Sequence, residues 1–412
     1  MRLAVVGAGV AGLTAAHWLS QVHDVTLFEA ASRLGGHTHT VRVDLADETH
    51  HVDTGFIVYN EPNYPRFAAL LRHLGVATQP SEMSFSVSSG REDFEYRGNG
   101  LRLWAQPSNA LRPGFTRLLA DILGFNARAR RLLDGDEEAG SLADFVVAGG
   151  HGPRLAPHYL LPLGSAIWSA DPTTFAAIPA RTFARFLDNH GMLRLKGRPQ
   201  WRTVTGGAAR YVERLASPLA GRVRRATPVE KLVRDADGVT VLTADGLTRF
   251  DGAVVAVHSH EALALLGDPT RAEREVLGAI AYRPNVATLH TDRSLLPRRR
   301  AAWASWNAYL PPWRSTLPTV TYWMNRLQGL RASRELCVTL NRQDEIDPAS
   351  VLGRWTYAHP VLDDRAVAAQ RRRAEVQGHR RTWYCGAYWG YGFHEDGVQS
   401  AADVARALGA PA

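Results

Sequence analysis

Gly7, Gly9 and Gly12 are spaced to hold a diphosphate. In the run Gly7-Ala8-Gly9-Val10-Ala11-Gly12 the first glycine permits a tight turn. The second lets the backbone approach a pyrophosphate, and the third lets a helix pack closely on a strand. Glu29 comes where a carboxylate can accept hydrogen bonds from adenosine ribose hydroxyls, and an acid there disfavours a 2′-phosphate and argues against NADP. The implied ligand is a dinucleotide. Nothing else in the sequence competes: there is no nucleophile elbow, HExxH helix, P-loop or paired CxxC motif. His37 and His39 are spaced like metal ligands but belong to the same nucleotide-binding segment. His50, His51, His258 and His260 lack an acidic partner set and read as surface or capping residues, so no metal is expected.

A glycine turn of this kind works only between a strand and a helix. Arg2–Val6 reads as a buried strand, residues 13–20 as a helix, and Asp24–Phe28 as a second strand ending at Glu29. The helix N-terminus then offers free N–H groups and a positive dipole end to the phosphates. Beyond it, Arg33 adds positive charge, and Gly35-Gly36 lets the chain run close to the ligand.

The segment Glu29-Ala30-Ala31-Ser32-Arg33-Leu34-Gly35-Gly36-His37-Thr38-His39-Thr40 resembles the E-A-x-x-R-x-G-G-(R/H)-x-x-T continuation of flavoproteins in the amine oxidase and phytoene desaturase superfamily. That resemblance implies non-covalent FAD, held by Gly7, Gly9, Ala11, Gly12, Glu29, Ala30, Arg33, Gly35, Gly36, His37 and Thr38. Many members carry Arg where this chain has His37. It further implies that Gly55 and Phe56, after Asp53-Thr54, pass near the flavin, and that the Val229 backbone meets adenine. Residues 252–257 would return to the Rossmann sheet, and residues 383–386 would form its last strand, ending at Gly386. Asp396-Gly397-Val398 would then open a final helix over residues 397–408, its dipole aimed at the flavin N1–C2=O2 edge. The candidates for proton handling are His394 and Glu395, beside that helix, and Tyr59.

The expected architecture is α/β: a Rossmann-type, glutathione-reductase/amine-oxidase-like FAD domain with an inserted α+β substrate domain. The FAD domain is placed at 1–80, 204–265 and 378–412, and the substrate domain at 81–203 and 266–377. Alternation at residues 81–88 and 319–324 suggests a sheet in the second domain, with helices at 118–133, 142–148 and 177–187. Trp168, Trp303, Trp306, Tyr322 and Trp323 give that domain an aromatic quality that suits a hydrophobic substrate.

Composition bounds the rest. The 412 residues are 45% hydrophobic and 21% charged, which is globular, with a net charge of +8. Only Lys196 and Lys231 are lysines, so the basicity is almost all arginine; an anionic membrane surface is a candidate partner and nucleic acid is not expected. Cys337 and Cys385 are too few for a disulfide framework and suit a reducing compartment. The glycine spacing within residues 1–20 reads as fold rather than signal peptide, and no apolar run is long enough to span a bilayer. A cytoplasmic protein, peripheral on the inner face of the membrane, is expected. Residues 111–133, where Leu118, Leu119, Ile122, Leu123 and Phe125 lie among arginines, read either as its contact or as a domain-covering helix with a solvated basic face.

Over almost its full length the chain resembles one branch of the superfamily, encoded beside or fused to cyclopropane-fatty-acid-synthase-like methyltransferases. The matching segments are 53–67, 161–172, 291–307, 357–362 and 383–401. The branch implies desaturation or reduction of methyl- or methylene-branched phospholipid acyl chains, with such a methyltransferase as partner. Two rival expectations are a flavin amine oxidase making imine and hydrogen peroxide, and a non-catalytic flavin-binding partner of a lipid methyltransferase.

Overall fold

The computed structural model describes the chain except residues 47, 99, 136–138, 169–174, 195, 313–316 and 318, and except the side chains of residues 100, 101 and 168; the aromatic ring expected of Trp168 thus lies outside the described residues. Leu3, Ala4 and Val5 are fully buried, as a central parallel strand covered on both faces requires. Around Arg2–Val6 the sheet runs Val223–Arg224, Asp24–Phe28, Arg2–Val6, Gly252–Val255 and Thr382–Tyr384, every pair parallel. The opening helix, Val10–Leu19, and the final helix, His394–Ala407, share one core with this sheet through Leu13, Leu19, Val254, Val398, Ala401 and Val404. On the other face, Leu232, Val241 and Phe250 of an antiparallel three-stranded sheet pack against Ala4, Phe28 and Val255.

The second body is a seven-stranded sheet in the order Val351–Pro360, Tyr282–His290, Cys337–Leu340, Val320–Trp323, Trp306–Leu310, Phe85–Ser89, Phe94–Arg97. Only the Trp306–Leu310/Phe85–Ser89 pair is parallel. Helices Pro113–Asp134, Leu142–Ala148 and Ala180–Asn189 pack beside it around Phe115, Leu118, Phe125, Phe145 and Phe183.

Two expectations need correction, and one open reading is settled. The final helix starts at His394 rather than Gly397, because the Asp396 carboxylate accepts the Phe393 N–H at 2.9 Å and closes the first turn earlier. The helix expected at 177–187 runs Ala180–Asn189, with Pro179 immediately ahead of its first residue. Residues 113–134 form a covering helix, not one that turns its apolar face outward. Leu118 and Phe125 are buried in the core, Arg117 pairs with Asp121 at 3.0 Å, and the Arg128 guanidinium lies 4.1 Å over the Phe145 ring. Among the described residues no helix is long and apolar enough to cross a membrane.

The last parallel strand is tied to its surroundings by a buried ion pair. Arg234 Nη1 and Nη2 donate to Glu273 at 2.5 and 2.9 Å, Arg234 Nε donates to Asp268 at 2.9 Å, and Tyr384 Oη donates to Glu273 at 2.6 Å. Burial alone would raise the Glu273 carboxyl, but the Arg234 and Tyr384 bonds and the Thr270 amide hold it down at about 2. Glu273→Ala leaves the buried guanidinium with Asp268 as its remaining carboxylate partner and should cost up to about 3–5 kcal/mol, read as a fall in Tm. Because the folded-state pKa is depressed, the pair's stabilisation is complete above the unfolded carboxyl's value and is lost as pH falls towards about 2. The difference in Tm between wild type and variant should therefore narrow in acid.

Candidate functional site

Three glycines at the start of the opening helix have three different surroundings. Gly7 sits at φ +99°, and a Cβ there would meet Val257 Cγ1 at 2.8 Å. A Cβ on Gly12 would overlap the Gly7 carbonyl oxygen. A Cβ on Gly9 would meet nothing within 4 Å, so the middle glycine alone faces open space. Above it lies the 33–38 loop: the Gly35 N–H donates to Ala8 O at 2.8 Å, and Gly36, at φ +56°, would bring a Cβ 3.1 Å from Gly9 Cα. The Glu29 carboxylate accepts from the amides of Ala8 and Ala31, each at 2.8 Å, which fixes it across the turn with lone pairs left for a ribose. This open backbone cradle with an oriented carboxylate fits a dinucleotide.

The final helix closes the cradle from the far end of the chain. A Cβ on Gly397 would lie 2.9 Å from Val10 Cγ1 and 3.8 Å from Ala11, so two helix N-termini converge. Val398 is fully buried in the shared core, and the Gly386 N–H donates to Ser400 Oγ at 2.9 Å. The Phe56 N–H donates to His37 O at 2.9 Å, and a Cβ on Gly55 would overlap that same carbonyl oxygen. Gly7, Gly9, Ala11, Gly12, Glu29, Ala30, Arg33, Gly35, Gly36, His37, Thr38, Gly55, Phe56, Asp396, Gly397 and Val398 thus gather at the ends of the parallel strands. Val229 is half-buried over the hairpin core, on a stretch joined to Glu29 by the Thr227 N–H at 2.9 Å.

His394 is the first residue of the final helix and is 8% exposed. Phe56 stacks on its ring at 3.5 Å and 16°, while Nε2 lies 3.0 Å from Thr38 Oγ1 and 2.9 Å from Tyr211 Oη. Thr38 and Tyr211 also bond to each other. Burial, then the nearby His37, push His394 down to about 3, so the ring is neutral. The Glu395 carboxylate accepts the Arg66 and Phe67 amides at 3.0 and 2.9 Å, where it caps the Pro65–His73 helix. Tyr59 is buried one ring further out, against Tyr64 and Phe67.

Two features are not marked in the sequence. Tyr211 is one; its only herald is Gly206-Gly207, both at positive φ, just before the Ala209–Ala216 helix. Gln328 is the other: it grips Asp53 by accepting its N–H at 2.9 Å and donating to its carboxylate at 2.7 Å. Burial raises the Asp53 carboxyl to about 7 against the opposing pull of the Thr40 and Ala208 bonds. No local pattern reveals that pairing.

A family model described as flavin containing amine oxidoreductase matches residues 10–409. AofH of Mycobacterium tuberculosis, assigned by name as a flavin-containing monoamine oxidase, is 28% identical over 282 residues, 64% of this chain and 58% of that protein. The chain thus spans less than two thirds of the length of the curated relatives it matches. Two solved structures share the fold over 99% of this chain at 16% identity. One is a fatty acid isomerase from P. acnes that produces CLA, with a TM-score of 0.69 over 98% of its chain. The other is a putrescine oxidase bound to putrescine, with a TM-score of 0.66 over 99% of its chain.

Alanine at two glycines should separate seat from scaffold. Gly9→Ala adds a methyl group to empty space, so its Tm should match that of wild-type apoprotein while the flavin absorbance of the purified protein is lost. Gly12→Ala drives a methyl group into backbone and should lower the Tm itself by several degrees, as an overpacking penalty of about 1–3 kcal/mol implies.

Proposed function

Because this chain belongs to the family of flavin-containing amine oxidoreductases, we propose that it is an FAD-dependent oxidoreductase whose substrates are fatty acyl chains of phospholipids, methyl- or methylene-branched, which it desaturates or reduces. One observation carries the reading: the carboxylates around the start of the final helix are already committed. Glu395 holds the Arg66 and Phe67 amides, Asp396 holds the Phe393 amide, and Asp53 is shared among Thr40, Ala208 and Gln328. An alkylammonium ion brought here would be desolvated without a dedicated counter-charge, which is costly. An apolar chain carries no such penalty. The aromatic surroundings suit it: Phe393 stacks on Phe186 at 5.6 Å, Phe186 on His190 at 3.9 Å, and His190 on Trp201 at 5.8 Å. Burial keeps His190 neutral as well, at about 4.

When bound, FAD supplies the two-electron chemistry, so the protein's task is binding and orientation. The glycine turn and the opening helix hold the diphosphate, and Glu29 orients the ribose. The N-terminus of the final helix brings a second positive dipole end to the same seat. His394, a weak base here, keeps Phe56, Thr38 and Tyr211 in register rather than moving a proton. Phe56, Phe67 and Tyr211 exclude water around it.

The similarity to AofH supports the second reading, an amine oxidase releasing imine and hydrogen peroxide. A lipid substrate also entails contact with an anionic bilayer at the cytoplasmic face. Trp104 and Leu111, 38% and 87% exposed between Arg102 and Arg112, are the surface suited to it. The methyltransferase partner belongs to the same proposal.

Anaerobic titration separates the readings. Methylated phospholipid should bleach the oxidised flavin, or methylene-branched lipid should reoxidise the reduced flavin, while a polyamine panel leaves it unchanged. Bleaching by a polyamine alone would assign the chain to amine oxidation, and a flavin inert to both would make it a binding partner. In liposome flotation, Trp104→Ser with Leu111→Ser should abolish low-salt binding to anionic vesicles without changing the FAD content.

A further inference from the structure

His37 directly follows Gly35-Gly36 beside the glycine turn, and it sits in a cluster of histidines drawn from three segments. The His37 ring centroid is 5.6 Å from that of His258, 5.4 Å from that of His359 and 5.3 Å from that of Tyr357. His258 comes directly after Ala256 and Val257, which close round Gly7, so the cluster lies at the mouth of the diphosphate seat. His37 Nε2 is buried without any hydrogen-bond partner.

We infer that this cluster gains a proton when the cofactor's diphosphate binds, placing a positive charge beside the diphosphate and making flavin loading pH-dependent. In the protein alone the cluster is neutral. Burial first, then His258 and Arg33, hold His37 at about 4. Burial with His260 and His359 holds His258 at about 4, and burial with His37 holds His359 at about 3. A diphosphate reverses the balance, because an adjacent anion favours the charged imidazolium.

The other groups facing the cluster are few. The nucleotide loop brings Glu29, Arg33 and His39, the last bonded to Tyr357 Oη at 3.0 Å. The helix after His258 brings His260 and Glu261, with Glu261 3.5 Å from His258 Nδ1. The Tyr282–His290 strand brings Tyr282, stacked on His258 at 4.4 Å, and Arg283, opposite His359 in register. The final helix brings His394, Glu395 and Asp396. Glu261 is the one carboxylate, among the described residues, paired with a member of the cluster, and its contact is to His258 rather than to His37.

By linkage, a group whose pKa rises on binding favours the complex at low pH, so FAD affinity should fall as pH rises from about 6 to 8, by up to about tenfold per pH unit for each proton taken up. Calorimetric titration of apoprotein near pH 6.5 in phosphate and in imidazole buffers should show net uptake of roughly 0.5–1 proton, with both FAD and ADP-ribose, whose diphosphate diesters do not titrate in this range. His37→Arg should hold FAD at about pH 8 at least as well as wild type, with uptake near zero. His37→Gln should lose both uptake and affinity. Buffer-independent heats with flat wild-type affinity would overturn the inference. So would uptake unchanged in both His37 variants, since the proton would then belong to Asp53 or Asp396. If a His37 variant does not fold, His258→Gln and His359→Gln decide, with reduced uptake expected and undiminished uptake counting against the cluster. None of these readouts uses a substrate, so they stand apart from the acyl-chain proposal.

Discussion

Two helices that begin at opposite ends of the sequence, at Val10 and His394, pack side by side with their N-termini together where Gly397 lies against Val10, and the cofactor seat exists only because they do. Each N-terminus leaves backbone N–H groups without an intrahelical partner and carries the positive end of a dipole, so two together repel unless an anion lies between or beside them. Apolar packing supplies the opposing force: Leu13, Val398, Ala401 and Val404 fill one core beneath the contact. The missing side chain at Gly397 sets the separation, because any Cβ would press on Val10. Hydrophobic burial thus holds two positive poles together, and the stored repulsion becomes affinity for a diphosphate.

The same economy governs charge around the seat. Carboxylates are present but each is bound to backbone amides or to a side-chain amide, and the histidines are buried and uncharged. The field that a ligand meets is therefore made largely of backbone dipoles, which cost no reorganisation when the ligand arrives. His394 illustrates the arrangement. Stacked against Phe56 and bonded to two hydroxyls at the start of a helix, it is kept from charging by burial and then by the nearby His37.

Where the controlling interactions are local, the sequence was readable. Asp24–Phe28 and Arg2–Val6 lie within the residues their apolar runs indicate, and Gly252–Val255 and Thr382–Tyr384 fall within one residue of the start expected for each. Parallel strands buried on both faces are continuous apolar segments, and the glycine spacing between two of them has few other uses. The seat was legible for the same reason. The pairings that complete it were not. Asp53 meets Gln328 across 275 residues, Tyr211 reaches Thr38 and His394 from a helix with no signature, and His37, His258 and His359 converge from three separate segments. The long helix stayed open between two readings for a related reason: arginines beside leucines look the same whether the leucines face lipid or, as Leu118 and Phe125 do, a core built from distant residues.

The parallel sheet has a bearing on how the molecule is made. Arg2–Val6 leaves the ribosome long before one of its neighbours in the sheet, Gly252–Val255, whose own outer neighbour is Thr382–Tyr384. The nucleotide domain therefore cannot complete its sheet until Tyr384 has been synthesised, and loops on the order of hundreds of residues must close first. Meanwhile Arg2–Val6, paired with Asp24–Phe28 on one side, stays exposed along its other edge, the condition in which aggregation competes with folding. Flavin capture is then a late event, because the seat includes the N-terminus of a helix that follows Tyr384 in the chain.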